Sequence, residues 1–193
     1  EEPGDAVTLP EQMEPIAVPA SYNDQKDDIA YRNHYGYAYY RRNITVPSYY
    51  KGQRLVLRFD AVTHFAKIYL NGVLLTQHKG GFLPFEVDIT DKLCAGESAE
   101  LVVAVDNRIN HSTLPVGNEE GTSFMGADNV GVPGVEAAKR WRKPQNLPNF
   151  DFFNYAGINR PVRIYTTPKA YIKDVTLVTD IRGTDGIVNY QVK

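Results

Sequence analysis

One cysteine, Cys94, occurs in 193 residues. That excludes an internal disulfide framework and any multi-cysteine zinc site. Long hydrophobic runs are missing too, and no stretch approaches the ~18 apolar residues a helix needs to span a bilayer. Neither sign of charge dominates, since 21 Lys+Arg against 23 Asp+Glu leave a net charge of −2. Such a balance argues against a nucleic-acid partner, which requires a basic face, and no membrane partner is expected either. The N-terminus, Glu1-Glu2-Pro3-Gly4-Asp5, has neither a basic n-region nor an apolar h-region, so no signal peptide is visible. With a single cysteine this fits a cytoplasmic protein. The missing initiator Met is what a processed or cut chain would show, and an extracytoplasmic location stays open. At 193 residues the chain is too short for a β/α barrel of about 250 residues and suits one domain plus a piece of another.

Segments of helical period are scarce, whereas two-residue alternation is frequent. Leu55, Leu57 and Phe59 alternate with Arg54, Val56, Arg58 and Asp60, the mark of a strand with one buried face. Ala66, Ile68 and Leu70 repeat the pattern. Asn71-Gly72 follows at once and Val73-Leu74-Leu75 comes next. Asn-Gly between apolar runs predicts a type I′ hairpin, because both central residues need positive φ. Further strands are expected at Tyr37 to Val46, Phe85 to Ile89, Leu101 to Val105 and from Val162 to Thr167. Pro47-Ser48, Lys51-Gly52, Gly80-Gly81 and Ala95-Gly96 punctuate them. The expected class is all-β, a sandwich or jelly roll.

Two regions break this pattern. Residues 107–150 show no clear strand and carry many Gly and Pro, together with the basic cluster Lys139-Arg140-Trp141-Arg142-Lys143. A connection of that length within a domain is usually functional or disordered. The cluster could grip an anion, but the absence of a wider basic footprint favours a solvated loop. Beyond Pro168, Tyr171 to Thr179 and Ile187 to Val192 read as two strands, too few to be stable alone. They read as the opening of a second β domain.

Side chains able to do chemistry are sparse. His34, His64, His78 and His111 lack metal-ligand spacing and read as ordinary hydrogen-bonding groups. No Gly-x-Ser-x-Gly elbow, P-loop or Gly-x-Gly-x-x-Gly occurs, and no cofactor is expected. Cys94 beside Lys92 reads as a spare thiol. Asn43-Ile44-Thr45 and Asn110-His111-Ser112 match the glycosylation sequon by chance. Tyr31, Tyr35, Tyr37, Tyr39, Tyr40, Tyr49 and Tyr50 could form a sugar-stacking platform, although composition favours core packing and cross-strand pairs. Most informative is Asn149 to Arg160, which sets aromatics around one carboxylate, Asp151. That carboxylate could accept hydrogen bonds from sugar hydroxyls or cap a local turn, and its neighbours do not choose between these.

Asp151-Phe152-Phe153-Asn154-Tyr155-Ala156-Gly157-Ile158-Asn159-Arg160, followed by Tyr165-Thr166-Thr167-Pro168, resembles the β-glucuronidase branch of the family 2 glycoside hydrolases. Val18 to Gln25, Gly52 to His64, Asn71-Gly72 and His78 to Glu86 agree in the same order, so the resemblance covers roughly residues 16–193. It implies that residues 1–168 form the N-terminal sugar-binding domain, a jelly-roll (galactose-binding-like) β-sandwich, with residues 107–150 as a long irregular loop. It implies that residues 169–193 begin an immunoglobulin-like β-sandwich domain. The family's retaining chemistry uses two glutamates on a β/α barrel further along the chain. The acid/base glutamate there lies in Asn-Glu-Pro. Here the only Asn-Glu is Asn118-Glu119, followed by Glu120, so no catalytic residue is assigned. The family's first strand, with its Gly-x-Trp signature, is also missing, and the 118–146 stretch is longer than in its best-known members. By resemblance, Asp151 reaches the barrel's active site and contacts the sugar hydroxyls, with a positioning role. Phe152, Phe153 and Tyr155 are assigned packing. The expected function is therefore a non-catalytic domain of a β-glucuronidase-like hydrolase, inactive alone, whose parent binds β-glucuronides and is a homo-oligomer. The alternatives are a free-standing carbohydrate-binding module and a structural sandwich for docking or oligomerisation.

Overall fold

The computed structural model describes residues 2–116, 146 and 153–193. Its strands are β1 (Ala20–Ser21), β2 (Tyr37–Thr45), β3 (Arg54–Phe59), β4 (Phe65–Leu70), β5 (Val73–Lys79), β6 (Phe85–Asp88), β7 (Ser98–Asp106), β8 (Gly157–Ile158), β9 (Val162–Thr167), β10 (Val175–Arg182) and β11 (Asp185–Val192). A single helical turn, α1 (Ile29–Arg32), is capped by Asp28, whose carboxylate accepts from the backbone of Ala30 and Tyr31.

Two antiparallel sheets carry the core. One has the order β2-β7-β4-β5 and the other β6-β3-β9. The chain crosses from one sheet to the other between β2 and β3, again between β3 and β4, and again on either side of β6. Inward residues of both sheets meet in one cluster. Leu55, Leu57 and Phe59 come from β3, Ala66, Ile68 and Leu70 from β4, and Leu101, Val103 and Val105 from β7. This is the two-layer sandwich that period-2 alternation predicts, with the expected set of residues facing inward. Phe59 is fully buried and stacks on Phe85, ring centroids 4.9 Å apart. The 70s hairpin also forms as expected, with φ of 50° at Asn71 and 79° at Gly72.

The outer face of the larger sheet is not bare. Tyr69, Val102 and Ala104 are buried there beneath Val7 and Leu9 of the N-terminal segment. Lys67, 7% exposed, donates from Nζ to Glu2 Oε1 at 2.9 Å and to the Pro3 carbonyl at 2.6 Å. Tyr69 Oη donates to the Gly4 carbonyl at 2.7 Å. Alternation marks which residues leave the core, but not that another segment returns to cover them.

Past Pro168 the strand positions differ from expectation. The first strand runs over Val175–Arg182, later than Tyr171 to Thr179, and the turn falls at Gly183. The cross-strand register explains the shift. Pairing Val175 with Val192, Leu177 with Tyr190 and Thr179 with Val188 places most of the apolar residues of the two strands on one face, with Val178 and Ile187 on the other. That face stays open, with Leu177 and Tyr190 both largely exposed.

Candidate functional site

At one end of the sandwich a group of buried amides ties together segments distant in sequence. Asn107 follows β7 and is fully buried. Its Nδ2 donates to Tyr22 Oη and to the His34 carbonyl, both at 2.7 Å, and its Oδ1 accepts from Gly36 N at 2.8 Å. Asn23, after β1, bridges in the same way, taking Ala156 N at 2.9 Å and giving Nδ2 to the Arg32 carbonyl at 2.7 Å. Asn154 gives Nδ2 to the Asn107 carbonyl at 3.0 Å, and its Oδ1 lies 2.5 Å from His64 Nε2. Since Nδ2 is occupied by a carbonyl, Oδ1 must accept, so His64 carries its proton on Nε2. Burial holds the His64 pKa below its usual value. Asn146 closes the group, donating Nδ2 to the Asn154 carbonyl at 2.8 Å and its backbone N–H to the Asn33 carbonyl at 2.9 Å.

Thr63 and the 80s turn complete the floor. Asn159 Nδ2 donates to Thr63 Oγ1 at 2.8 Å. A Cβ added to Gly81 would lie 2.9 Å from Thr63 Cα, so only glycine lets the turn approach this closely. The Phe82 ring meets His64 edge-on. At the rim, Asp106 is paired with Arg108, Nη2 to Oδ2 2.6 Å, and this holds the Arg108 pKa above its ordinary value. The Arg108 guanidinium lies 5.3 Å from the Tyr37 ring. Burial, reinforced by Asp106, pushes the Tyr37 hydroxyl up to about 12.

This arrangement binds backbone to backbone and holds no evident proton-transfer pair. Its polar members are amides, hydroxyls and one neutral imidazole, and its rim carboxylate is taken by an arginine. Among the described residues no group of His, Cys, Asp and Glu could hold a metal ion. No helix among them is long and apolar enough to cross a membrane.

The residues singled out in the sequence are distributed unevenly. Asp151, Phe152 and the Lys139–Lys143 cluster lie outside the described residues. Phe153 is buried, packs against Tyr155 at 4.9 Å and sits under the Arg32 guanidinium. Tyr155 itself is exposed. The tyrosines do not form one platform. Tyr37 and Tyr39 pack on the outer face with Tyr69, Tyr40 enters the core, and Tyr49 and Tyr50 contact each other elsewhere. Tyr22, Tyr31, Tyr37, Tyr39 and Tyr40 line a cavity of about 440 Å³ beside β2. His34 and His78 bond to the Tyr37 and Gly80 carbonyls. Cys94 is exposed. Sequence reasoning missed the amide group, although buried asparagines just after Tyr22, Asp106 and Phe153 share one signal: a polar residue directly following a core-facing stretch.

The described residues thus form an antiparallel β-sandwich whose end is stitched by buried amides. Residues 5–168 match the sugar binding domain of the glycosyl hydrolases family 2, and the chain belongs to that family. It is 38% identical over 179 residues to a β-glucuronidase of Paenibacillus borealis, covering 93% of this chain and 28% of that protein. A pig (Sus scrofa) β-glucuronidase is 39% identical over 92% of the chain. Among solved structures, Faecalibacterium prausnitzii β-glucuronidase shares 61% identity with a TM-score of 0.80, covering 98% of this chain and 31% of that one. Bifidobacterium dentium β-glucuronidase, solved with coumarin-3-O-glucuronide, shares 57% with a TM-score of 0.77, covering 92% of this chain and 28% of that one. The chain thus spans between a quarter and a third of the length of these relatives.

Proposed function

We propose that this chain is the non-catalytic sugar-binding domain of a retaining β-glucuronidase, and that Asp151 contacts substrate hydroxyls in an active site built on a separate barrel. The observation that carries this reading is the lopsided coverage. β-Glucuronidases match 92–98% of this chain, yet the chain matches only 26–31% of them. The parent would act on β-glucuronides as a homo-oligomer, through a covalent glycosyl-enzyme intermediate formed on two barrel carboxylates. The division into a sandwich over 1–168 and the start of an immunoglobulin-like domain over 169–193 belongs to the same proposal. It is supported by the β10–β11 hairpin, which leaves its apolar face unburied.

Two measurements test it. The isolated chain should not hydrolyse a chromogenic glucuronide, and turnover by the pure chain would overturn the reading. In the longer polypeptide, Asp151→Ala should cost about 2–4 kcal/mol of transition-state stabilisation, the loss of a charged hydrogen-bonding group in a closed site. An unchanged kcat/KM would remove Asp151 from the site.

A further inference from the structure

We propose that the outer face of the β2-β7-β4-β5 sheet is a groove for an acidic oligosaccharide, a run of sugars bearing uronate carboxylates, and that residues 2–11 occupy it as a displaceable stand-in. The groove follows from the register. Tyr39 stands opposite Ala104 and Ala104 opposite Lys67, while Arg41 stands opposite Val102 and Val102 opposite Tyr69. Small side chains on the middle strand, β7, therefore lie between two rows of long ones. Tyr37 extends the row on β2, its ring centroid 6.3 Å from that of Tyr39, and the Arg108 guanidinium lies 5.3 Å from the Tyr37 ring. Flat tyrosine faces suit sugar C–H groups, and the neighbouring ammonium and guanidinium groups suit a carboxylate.

Residues 2–11 cross this groove with Val7 and Leu9 over Tyr69, Val102 and Ala104. Among the described residues, the side-chain bonds that hold the segment all run from donors on the sheet to oxygens of the segment. Lys67 Nζ donates to Glu2 Oε1 at 2.9 Å and to the Pro3 carbonyl at 2.6 Å, and Tyr69 Oη to the Gly4 carbonyl at 2.7 Å. Arg41 donates to the Pro10 carbonyl at 2.9 Å and to the Glu11 carbonyl at 2.5 Å. A carboxylate followed by spaced acceptor oxygens is also what an acidic oligosaccharide presents. The cation is the fixed half of this pairing. The Lys67 side chain is 9% exposed and that of Glu2 is 66% exposed. A lysine so far from water requires an oxygen partner, and here the partner comes from a segment laid on the sheet, not from the sheet itself. Backbone pairing of the segment is confined to the 70s hairpin, where Ala6 bridges Val73, Val7 N–H donates to the Gly72 carbonyl and Leu74 N–H to the Asp5 carbonyl. The segment can therefore leave without opening either sheet. While it stays, apparent affinity for a ligand falls in proportion to the fraction of grooves left uncovered.

The test is calorimetric titration with a hyaluronan hexasaccharide, in which every second sugar is glucuronate, and with neutral cellohexaose. A chain lacking residues 1–9 is expected to bind the acidic hexasaccharide at least about tenfold more tightly than the full chain does. Lys67→Met in the shortened chain should weaken that binding about tenfold or more, and a synthetic peptide of residues 1–11 should compete with it. Equal affinity of the full and shortened chains would show that the segment is no competitor and overturn the proposal. Equal affinity for the neutral and acidic sugars would overturn Lys67 as the reader of a carboxylate, and the proposal with it. Binding of the peptide without binding of either sugar would make the groove a peptide seat and likewise overturn it. Should the shortened chain not fold, Val7→Ser with Leu9→Ser loosens the segment in the full chain, and Glu2→Gln removes its carboxylate. Glu2→Gln is expected to tighten binding of the acidic hexasaccharide about twofold to fivefold, and the double serine variant further. Affinity unchanged, or binding absent, in both variants would refute the assignment.

Discussion

Asn107→Ala should be among the most damaging single changes in the sandwich, although it removes no apolar contact of note. The side chain is wholly buried and serves three partners: Tyr22 Oη, the His34 carbonyl and Gly36 N. Alanine leaves all three without it. The Tyr22 hydroxyl loses only a donor to its oxygen and keeps a proton of its own to donate, but the two backbone groups cannot move. A buried polar group left unpaired costs about 1–3 kcal/mol, so two such groups give about 2–6 kcal/mol. Natural domains are stable by only about 5–15 kcal/mol, so this is a large share. Urea unfolding of the chain followed by tyrosine fluorescence would report it as a lowered midpoint at unchanged slope. Asn107→Asp should do no better. It keeps the acceptor for Gly36 N, but places a carboxylate against the His34 carbonyl and next to Asp106 in sequence. Should Asn107→Ala unfold within about 0.5 kcal/mol of the parent, as a neutral surface change does, the bridging role assigned to this amide is wrong.

Gly157→Ala should lower the melting temperature by at least about 5 °C. Its φ is +130°, and an added Cβ would sit 2.7 Å from Tyr40 Oη and 3.2 Å from both the Ala20 carbonyl oxygen and Tyr22 N. A parent-like melt would show that β8 can shift to admit a methyl group. For His64, the folded pKa lies below its ordinary 6.5. The unfolded chain therefore takes up a proton first as pH falls, and the stability contribution present above 6.5 is lost between that value and the lower folded pKa. His64→Gln should flatten this part of the stability-versus-pH curve, and identical curves for the two proteins would refute it.

The layers of the fold were readable from side-chain period. Leu55, Leu57 and Phe59 alternate because a pleated strand turns successive side chains to opposite faces, and one face had to leave water. Asn71-Gly72 predicted its turn because few residues tolerate the dihedrals a tight hairpin requires. The family, too, was visible in the collinear runs ending at Pro168. What could not be read was anything that depends on a partner far along the chain. Lys67 and Tyr69 look like solvent-facing residues of β4, and only the return of Glu2, Pro3 and Gly4 makes them buried ones. The 170s strand was misplaced because its apolar residues alternate equally well over several starting points, and only pairing with β11 selects one.

The candidate site divides along the same line. Asp151 was singled out among aromatic neighbours, but its role came only from the family resemblance, and it lies outside the described residues. Asn23, Asn107, Asn146 and Asn154 were not singled out, because an asparagine in a turn and one in a buried bridge have the same local sequence. Amino-acid order alone determined the all-β class, the inward faces of the main strands and the kinship with family 2 hydrolases, since each is carried by short-range pattern or by long collinear similarity. Tertiary structure alone decided which amides meet, since a hydrogen bond depends on distance in space and its partners here lie up to 133 positions apart.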